Sequence, residues 1–183
     1  CMVQAAAGEP DRFGELILFD PVILDPGFYA AGAAVFGAEH PVARRRNDWA
    51  APQQMFDALH KREPFSRWND RVLHDYCEHG LVKSGESYVL ACRPEDEAAV
   101  YASSLKMNIY DRIPAVNQPV TVIRAEWRGF EEARHDFALS PTWPKLAARF
   151  VNGRDVYLPE YSHFLPMEDP EFAASLIRGE HPT

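Results

Sequence analysis

One histidine near the end of the chain, His163, stands in a sequence context typical of a general base. A run with strand character from Arg154 to Leu158 precedes it, and a helix is predicted to begin near Pro166 or Pro170 after it. A histidine in such a loop can take a proton from a nucleophile and later return it. It needs a nucleophile to deprotonate and a carboxylate to orient its ring.

The sequence contains no pattern for metal or phosphate chemistry. The three cysteines, Cys1, Cys77 and Cys92, form no CxxC pair, and there is no HExxH motif or His/Cys cluster with metal-ligand spacing. Neither GxGxxG nor GxxxxGK[ST] occurs. We therefore expect no cofactor and no bound metal.

Charge and hydropathy restrict the classes of partner. The 183 residues carry a formal net charge of −8, and the sequence pI is about 5.3. An acidic surface disfavours nucleic acid and anionic membranes, so we expect neither as a partner and expect a small-molecule substrate instead. No apolar stretch is long enough to cross a bilayer and no secretory signal is visible, so we expect a cytoplasmic protein.

Short apolar runs rich in branched side chains predict a buried sheet. The predicted strands are Phe13–Phe19, Pro119–Ala125 and Asp155–Leu158. Helical spacing and stop signals predict helices over residues 1–9, from Trp143 to Phe150 after Ser140-Pro141-Thr142, and from Glu171 to Ile177. The alternation of strands and helices indicates an α/β fold.

The segment between residues 25 and 112 has a different character and reads as a mostly helical insert. Helices are predicted over 49–62, from an Asn69 cap to Gly80, and from Pro94, with a hairpin over 81–92. Its aromatic content suggests an apolar pocket, for which the candidates are Phe28, Tyr29, Phe36, Trp49, Phe56, Phe65, Trp68 and Tyr76.

This arrangement resembles the C-terminal half of an α/β-hydrolase sheet with an inserted, mostly helical cap. Three stretches carry the resemblance: AAAGEPDRFGELILFDPVI, PVTVIRAE and DVYLPEYSHFLPMEDPE. It implies core helix and strand in 1–24, a cap or lid in 25–112, and C-terminal core strands and helices with the histidine loop in 113–183. It also implies a hydrolase of small, mainly apolar, ester-like substrates, which uses a nucleophile–His–acid triad with His163 as the base.

The resemblance leaves the acid of the triad open. The family commonly has Gly-x-x-Asp after the strand that ends near Ala125, whereas this chain has Ala125-Glu126-Trp127-Arg128. We rank Asp136 first, because it precedes Ser140-Pro141 much as the family's Asp precedes its helix. Asp20, which ends an earlier strand where some members place the acid, ranks second. Glu126, at the end of the strand itself, ranks third.

The nucleophile that the resemblance implies is not found in the sequence. The family presents it in a G-x-Ser-x-G type of turn before a helix, and no GxSxG occurs here. Residues 1–9 resemble the end of that helix, so we expect the elbow to lie before residue 1 and the chain alone to be inactive. The N-terminal half of the fold would then be supplied in cis or by a separate chain. Cys1 could instead be the nucleophile, with its α-amino group as base, but the helical pattern of 2–8 disfavours this.

A second hypothesis is that the chain is a non-catalytic domain that binds a ligand or partner, or one half of a split hydrolase. A half-sheet exposes a strand edge and an apolar face that a partner would cover. Gel filtration separates the two hypotheses, because a monomer with cooperative unfolding would favour a complete domain. The hydrolase hypothesis fails if no strand–elbow–helix is encoded upstream.

Overall fold

The computed structural model describes residues 2–30, 41–104, 106–133 and 135–180. The chain divides into two compact units, the first formed by Cys1–Ala30 with Asn108–Thr183 and the second by Ala31–Met107. The second unit is somewhat shorter than the insert predicted over 25–112. Two residues considered above, Cys1 and Phe36, lie outside the described residues.

The described ranges contain short strands and helices in alternation. The strands are β1 (Leu16–Phe19), β2 (Asp48–Trp49), β3 (Leu81–Ser84), β4 (Ser87–Leu90), β5 (Val120–Arg124) and β6 (Gly153–Tyr157). The α-helices are α1 (Met2–Gly8), α2 (Pro26–Ala30), α3 (Pro52–Leu59), α4 (Asp70–His79), α5 (Pro94–Ser104), α6 (Phe130–Ala133), α7 (Leu165–Glu168) and α8 (Pro170–Ile177). Within these ranges, no helix combines the length and the apolar composition that a membrane crossing needs.

The first unit contains a parallel sheet with the strand order β1-β5-β6. Leu16 pairs with Val120 and Phe19 with Ile123 in the first ladder, while Val120 pairs with Gly153 in the second. The carboxyl ends of all three strands therefore meet at one edge of the sheet. This register confirms the three strands predicted from their apolar runs.

Both faces of this sheet are covered, as its branched side chains predict. Because successive side chains alternate between faces, Leu16 and Leu18 pack with Val120, Val122 and residues of α1 on one side. On the other side, Ile123 packs with α7 and α8, through residues that include Leu165 and Leu176. Burying a Val, Leu or Ile side chain completely contributes roughly 1.5–3 kcal/mol, so these two layers hold the strand ends in place.

The second unit contains its own core and an antiparallel sheet with the order β2-β4-β3. The hairpin predicted over 81–92 forms β3 and β4, and β2 joins it as a third strand that was not predicted. The Asn69 cap is confirmed, since its Oδ1 accepts a hydrogen bond from the Arg71 amide at 3.0 Å. Five of the aromatic residues predicted to line a pocket instead pack into this core: Trp49, Phe56, Phe65, Trp68 and Tyr76.

One helix prediction was wrong in extent and another was wrong altogether. The helix predicted over 49–62 begins at Pro52, because Trp49 is paired in β2 with Tyr88. No α-helix forms between Trp143 and Phe150 among the described residues, where turns lead into a single 3-10 turn at Ala147–Arg149. Prolines at 141 and 144 remove amide donors from this stretch.

Candidate active site

His163 and Asp20 meet at the carboxyl edge of the parallel sheet. Nδ1 of His163 lies 2.7 Å from Oδ2 of Asp20, although 143 residues separate them in sequence. Asp20 directly follows β1, and His163 lies in the loop between β6 and α7. The Asp20 side chain is 5% exposed and that of His163 is 22% exposed, so the pair is shielded while the ring keeps access to solvent.

The other carboxylate oxygen of Asp20 is surrounded by donors from two segments. Oδ1 accepts a hydrogen bond from the Ala125 amide at 3.3 Å and a short one from the Ser140 hydroxyl. The Thr142 hydroxyl lies 3.2 Å from Oδ1 and is closer to the Pro21 carbonyl, at 2.7 Å, to which it donates. Ser140 and Thr142 are fully buried, and Asp20 itself is 4% exposed. A buried carboxylate with this many donors is fixed in one orientation, because turning it would leave those donors unpaired.

The backbone of Asp20 adopts a conformation that few residue types tolerate. Its φ of 41° makes it the non-glycine residue with a positive φ in the described part of the chain. Asp and Asn enter this region more readily than other residues with a Cβ. The conformation is held by a 2.7 Å hydrogen bond from the Asp20 amide to the Ile123 carbonyl, which extends the β1–β5 ladder by one step.

The second ring nitrogen of His163 has no hydrogen-bond partner among the residues that the structure describes. Within the described residues Nε2 makes no hydrogen bond, and the ring contacts Phe164 edge-on at a centroid distance of 5.1 Å. When the imidazole is neutral and Nδ1–H donates to Asp20, Nε2 carries the lone pair. The arrangement can therefore accept a proton at Nε2 and stabilise the resulting imidazolium through the Asp20 carboxylate.

The space beside this pair is small. The cavity that includes both side chains measures about 10 Å³, enough for roughly one water molecule. It is lined by Phe19, Asp20, Ile123, Arg124, Ala125, Ser162, His163, Leu165 and Pro166. These residues alone do not form a pocket for an organic substrate.

The other carboxylates considered as the acid lie in different surroundings. Asp136, ranked first from sequence, accepts a 2.9 Å hydrogen bond from the Ala138 amide in an exposed turn. Glu126 forms a 2.9 Å ion pair with Arg128. Among the described residues, the structure brings neither of them into hydrogen-bonding contact with His163, and it does bring Asp20 there. Cys1, the alternative nucleophile, lies outside those residues.

Three polar residues around the pair were not predicted from the sequence. Ser140 and Thr142 were read as a helix start, yet their hydroxyls contact Asp20. Ser162, next to the histidine, is 1% exposed and bonds Glu168. A serine directly before a candidate base is a weak local signal for Ser162. No local signal connects Ser140 or Thr142 to Asp20, since these contacts span at least 120 residues.

No clustering of metal-ligating side chains accompanies the pair. In the described ranges, no group of three or more His, Cys, Asp and Glu residues is placed to hold a metal ion. The Asp20 carboxylate instead accepts hydrogen bonds from a backbone amide and a hydroxyl, and it contacts one imidazole.

No protein-family model and no curated protein matches the chain, but solved structures do. A crystal structure of E-2-(acetamidomethylene)succinate hydrolase matches 97% of this chain and 61% of its own, at 17% identity and a TM-score of 0.66. A peroxisomal α/β-hydrolase from Saccharomyces cerevisiae matches 97% of this chain and 48% of its own, at 14% identity and a TM-score of 0.65. An M. tuberculosis esterase matches 98% of this chain and 58% of its own, at 18% identity and a TM-score of 0.58.

These similarities establish the fold. The chain has the α/β-hydrolase fold and corresponds to the C-terminal half of it, as its sequence resemblance implied. It spans between 48% and 61% of the length of these three solved chains. At such low identity the similarity extends to the fold and not to the substrate.

Proposed function

We propose that this chain supplies the base and the acid of a hydrolase that cleaves a small, mainly apolar, ester-like substrate. His163 is the base, Asp20 is the acid, and a segment outside these 183 residues supplies the nucleophile, in cis or as a separate chain. The observation that carries the proposal is the 2.7 Å contact between His163 Nδ1 and Asp20 Oδ2. The fold and the hydrolases that share it support the reaction class.

The proposed roles follow from ordinary triad chemistry. Nε2 of His163 takes the proton of the nucleophile as the nucleophile attacks the ester carbonyl, and Asp20 stabilises the imidazolium that forms. When the C–O bond of the ester breaks, Nε2–H gives its proton to the departing alkoxide. Water then attacks the acyl intermediate with the same base assisting, which releases the acid and restores the nucleophile.

Asp20 is preferred over Asp136 and Glu126 as the acid for a geometric reason. The acid must accept a hydrogen bond from Nδ1–H, so that the imidazole holds the tautomer with its lone pair on Nε2. The Asp20 carboxylate is in hydrogen-bonding distance of Nδ1 and is fixed by its other donors. The Asp136 and Glu126 carboxylates are occupied by Ala138 and Arg128.

The test compares the 183-residue chain with a longer form that adds the residues encoded before it. Turnover of p-nitrophenyl esters of short fatty acids is the assay. We expect turnover from the longer form and none from the chain alone. His163→Ala in the longer form should lower kcat by about 10²- to 10⁴-fold or more, while His79→Ala, which alters an exposed histidine at the end of α4, should not.

Two results would contradict the proposal. Full activity of His163→Ala in the longer form would remove His163 from the reaction. Ester turnover by the purified 183-residue chain, lost on His163→Ala, would place the nucleophile inside the chain. If activity appears only when a separate polypeptide is added, the proposal holds in its split-chain form.

A further inference from the structure

The residue before the base is held by a single carboxylate. Ser162 donates two hydrogen bonds to Glu168, one from its amide to Oε2 at 3.2 Å and a short one from its hydroxyl to Oε1. The Ser162 hydroxyl oxygen also accepts from the Phe164 amide at 3.1 Å. The two bonds to Glu168 connect the segment before His163 with α7, which follows it. They therefore bridge the loop that carries the base.

The residue one step earlier is attached to the same place. The Tyr161 hydroxyl lies 3.3 Å from Oδ2 of Asp169, and its ring stacks on Phe172 at 5.3 Å. Asp169 also caps α8, since its Oδ1 accepts from the Phe172 amide at 2.9 Å. Tyr161 and Ser162 are therefore both hydrogen-bonded to the junction between α7 and α8. This junction packs on the sheet through Leu165.

This attachment matters because the base itself lies in irregular backbone. The loop runs from the end of β6 at Tyr157 to the start of α7 at Leu165, and loops without such bonds sample several conformations. A 2.7 Å contact between Nδ1 and Asp20 needs the imidazole held closely in place. The Ser162 bonds to Glu168 fix the backbone on the N-terminal side of His163, where no strand or helix does so.

We propose that Glu168 is a positioning residue for His163, acting through Ser162 to keep Nδ1 directed at Asp20. Its carboxylate bonds Ser162 rather than the imidazole, so its role is in orientation and not in proton transfer. This inference rests on the proposed function, because it assumes that the His163–Asp20 pair is the one that reacts.

The test follows the Nδ1 proton of His163 by NMR in protein labelled with 15N-histidine, with His163→Asn used to assign the signal. In Glu168→Ala we expect exchange of this proton with water to become about tenfold faster or more, because two hydrogen bonds to a charged acceptor are lost. Ser162→Ala removes only the hydroxyl bond to Glu168 and should give a smaller increase. The matched control is Glu171→Ala, which removes an exposed carboxylate from the first turn of α8 and should leave the exchange rate unchanged.

A merely structural role gives a different result. Loss of general stability would speed exchange of the β5 amides together with that of the Nδ1 proton, whereas loss of positioning speeds the Nδ1 proton selectively. If Glu168→Ala does not fold, Ser162→Ala decides. It removes the hydroxyl donor and keeps the amide donor to Glu168, so we expect an intermediate exchange rate, and a rate equal to wild type would overturn the inference.

The outcomes also separate this inference from the proposed function. If the wild-type protein shows no hydrogen-bonded Nδ1 proton on His163, the pair itself is wrong and both ideas fail. If the wild type shows it and folded Glu168→Ala keeps it at the wild-type exchange rate, only the role of Glu168 fails.

Discussion

Replacing Asp20 with asparagine should reverse the tautomer of His163. The carboxylate accepts from two donors at Oδ1, the Ala125 amide and the Ser140 hydroxyl, and from the imidazole at Oδ2. An asparagine has one acceptor oxygen and one NH₂ group. With its oxygen towards the Ala125 and Ser140 donors it keeps their bonds, and its NH₂ then faces Nδ1. Nδ1 must become the acceptor, so the proton moves to Nε2 and the ring can no longer act as a base there.

The magnitudes favour this orientation. Turning the amide the other way would set its NH₂ against the Ala125 N–H, which cannot rotate, and would leave a buried donor unpaired at a cost of about 1–3 kcal/mol. In the wild type, a hydrogen bond to a charged acceptor contributes about 1.5–3 kcal/mol, which corresponds to a roughly 10- to 150-fold preference for the Nδ1–H tautomer. Global stability is typically about 5–15 kcal/mol, so Asp20→Asn should still fold.

The assay is long-range 1H–15N correlation on protein labelled with 15N-histidine at about pH 8.5, where most imidazoles are neutral. In the wild type, Nδ1 of His163 should have the chemical shift of a protonated nitrogen and Nε2 that of an unprotonated one. In Asp20→Asn the two assignments should be reversed. The matched controls are Asp136→Asn and Glu126→Gln, and neither should change the His163 spectrum. An unchanged tautomer in folded Asp20→Asn, or a reversed one in either control, would refute the assignment of Asp20.

Two further predictions concern packing in each unit. Gly153 begins β6, where an added Cβ would lie 1.9 Å from the Ala147 carbonyl oxygen, whereas a Cβ on Gly14 would meet nothing within 4 Å. We therefore expect Gly153→Ala to lower the free energy of unfolding, measured in urea, by about 1–3 kcal/mol or more. Equal stabilities of Gly153→Ala and the control Gly14→Ala would contradict this. Burial raises the pKa of the Cys77 thiol to about 11, while Cys92 is exposed. Iodoacetamide at pH 8 should therefore modify Cys92 in the native protein, and Cys77 only after unfolding. Peptide mapping by mass spectrometry measures this, and rapid native labelling of Cys77 would show that its surroundings are open.

Elements whose signals are local could be predicted from the sequence. The Asn69 cap, the hairpin of β3 and β4, and helix α8 depend on neighbouring residues, and the structure has all three. The sheet strands were also predicted, because a branched apolar run buried on two faces has few alternatives. The helix expected after Ser140 did not form, because Pro141 and Pro144 supply no amide donors to it.

The acid that we propose shows the limit of local reasoning. Asp136 was ranked first because it stands before Ser140-Pro141, a spacing argument along the chain. Asp20 lies 143 residues from His163 in sequence, and they meet because β1 and β6 flank β5 in the same parallel sheet. Strand order is a tertiary property that the three apolar runs do not specify. The list of candidates could therefore be drawn up from sequence, but the ranking among them needed the strand order.

The backbone conformation of Asp20 agrees with the role of a fixed acid that we propose for it. A positive φ on a residue with a Cβ costs about 1–2 kcal/mol, and the structure meets that cost with the Asp20 amide bond to Ile123 and the donors on Oδ1. Those partners belong to β5 and to the segment after it, so they are in place only when β1 and β5 pair in the observed register. A one-residue slip would move Ala125 away from the carboxylate and reverse the side of the sheet that each side chain faces. The orientation of the base is therefore coupled to the register of the sheet, because the residue that holds His163 is itself held by the neighbouring strand.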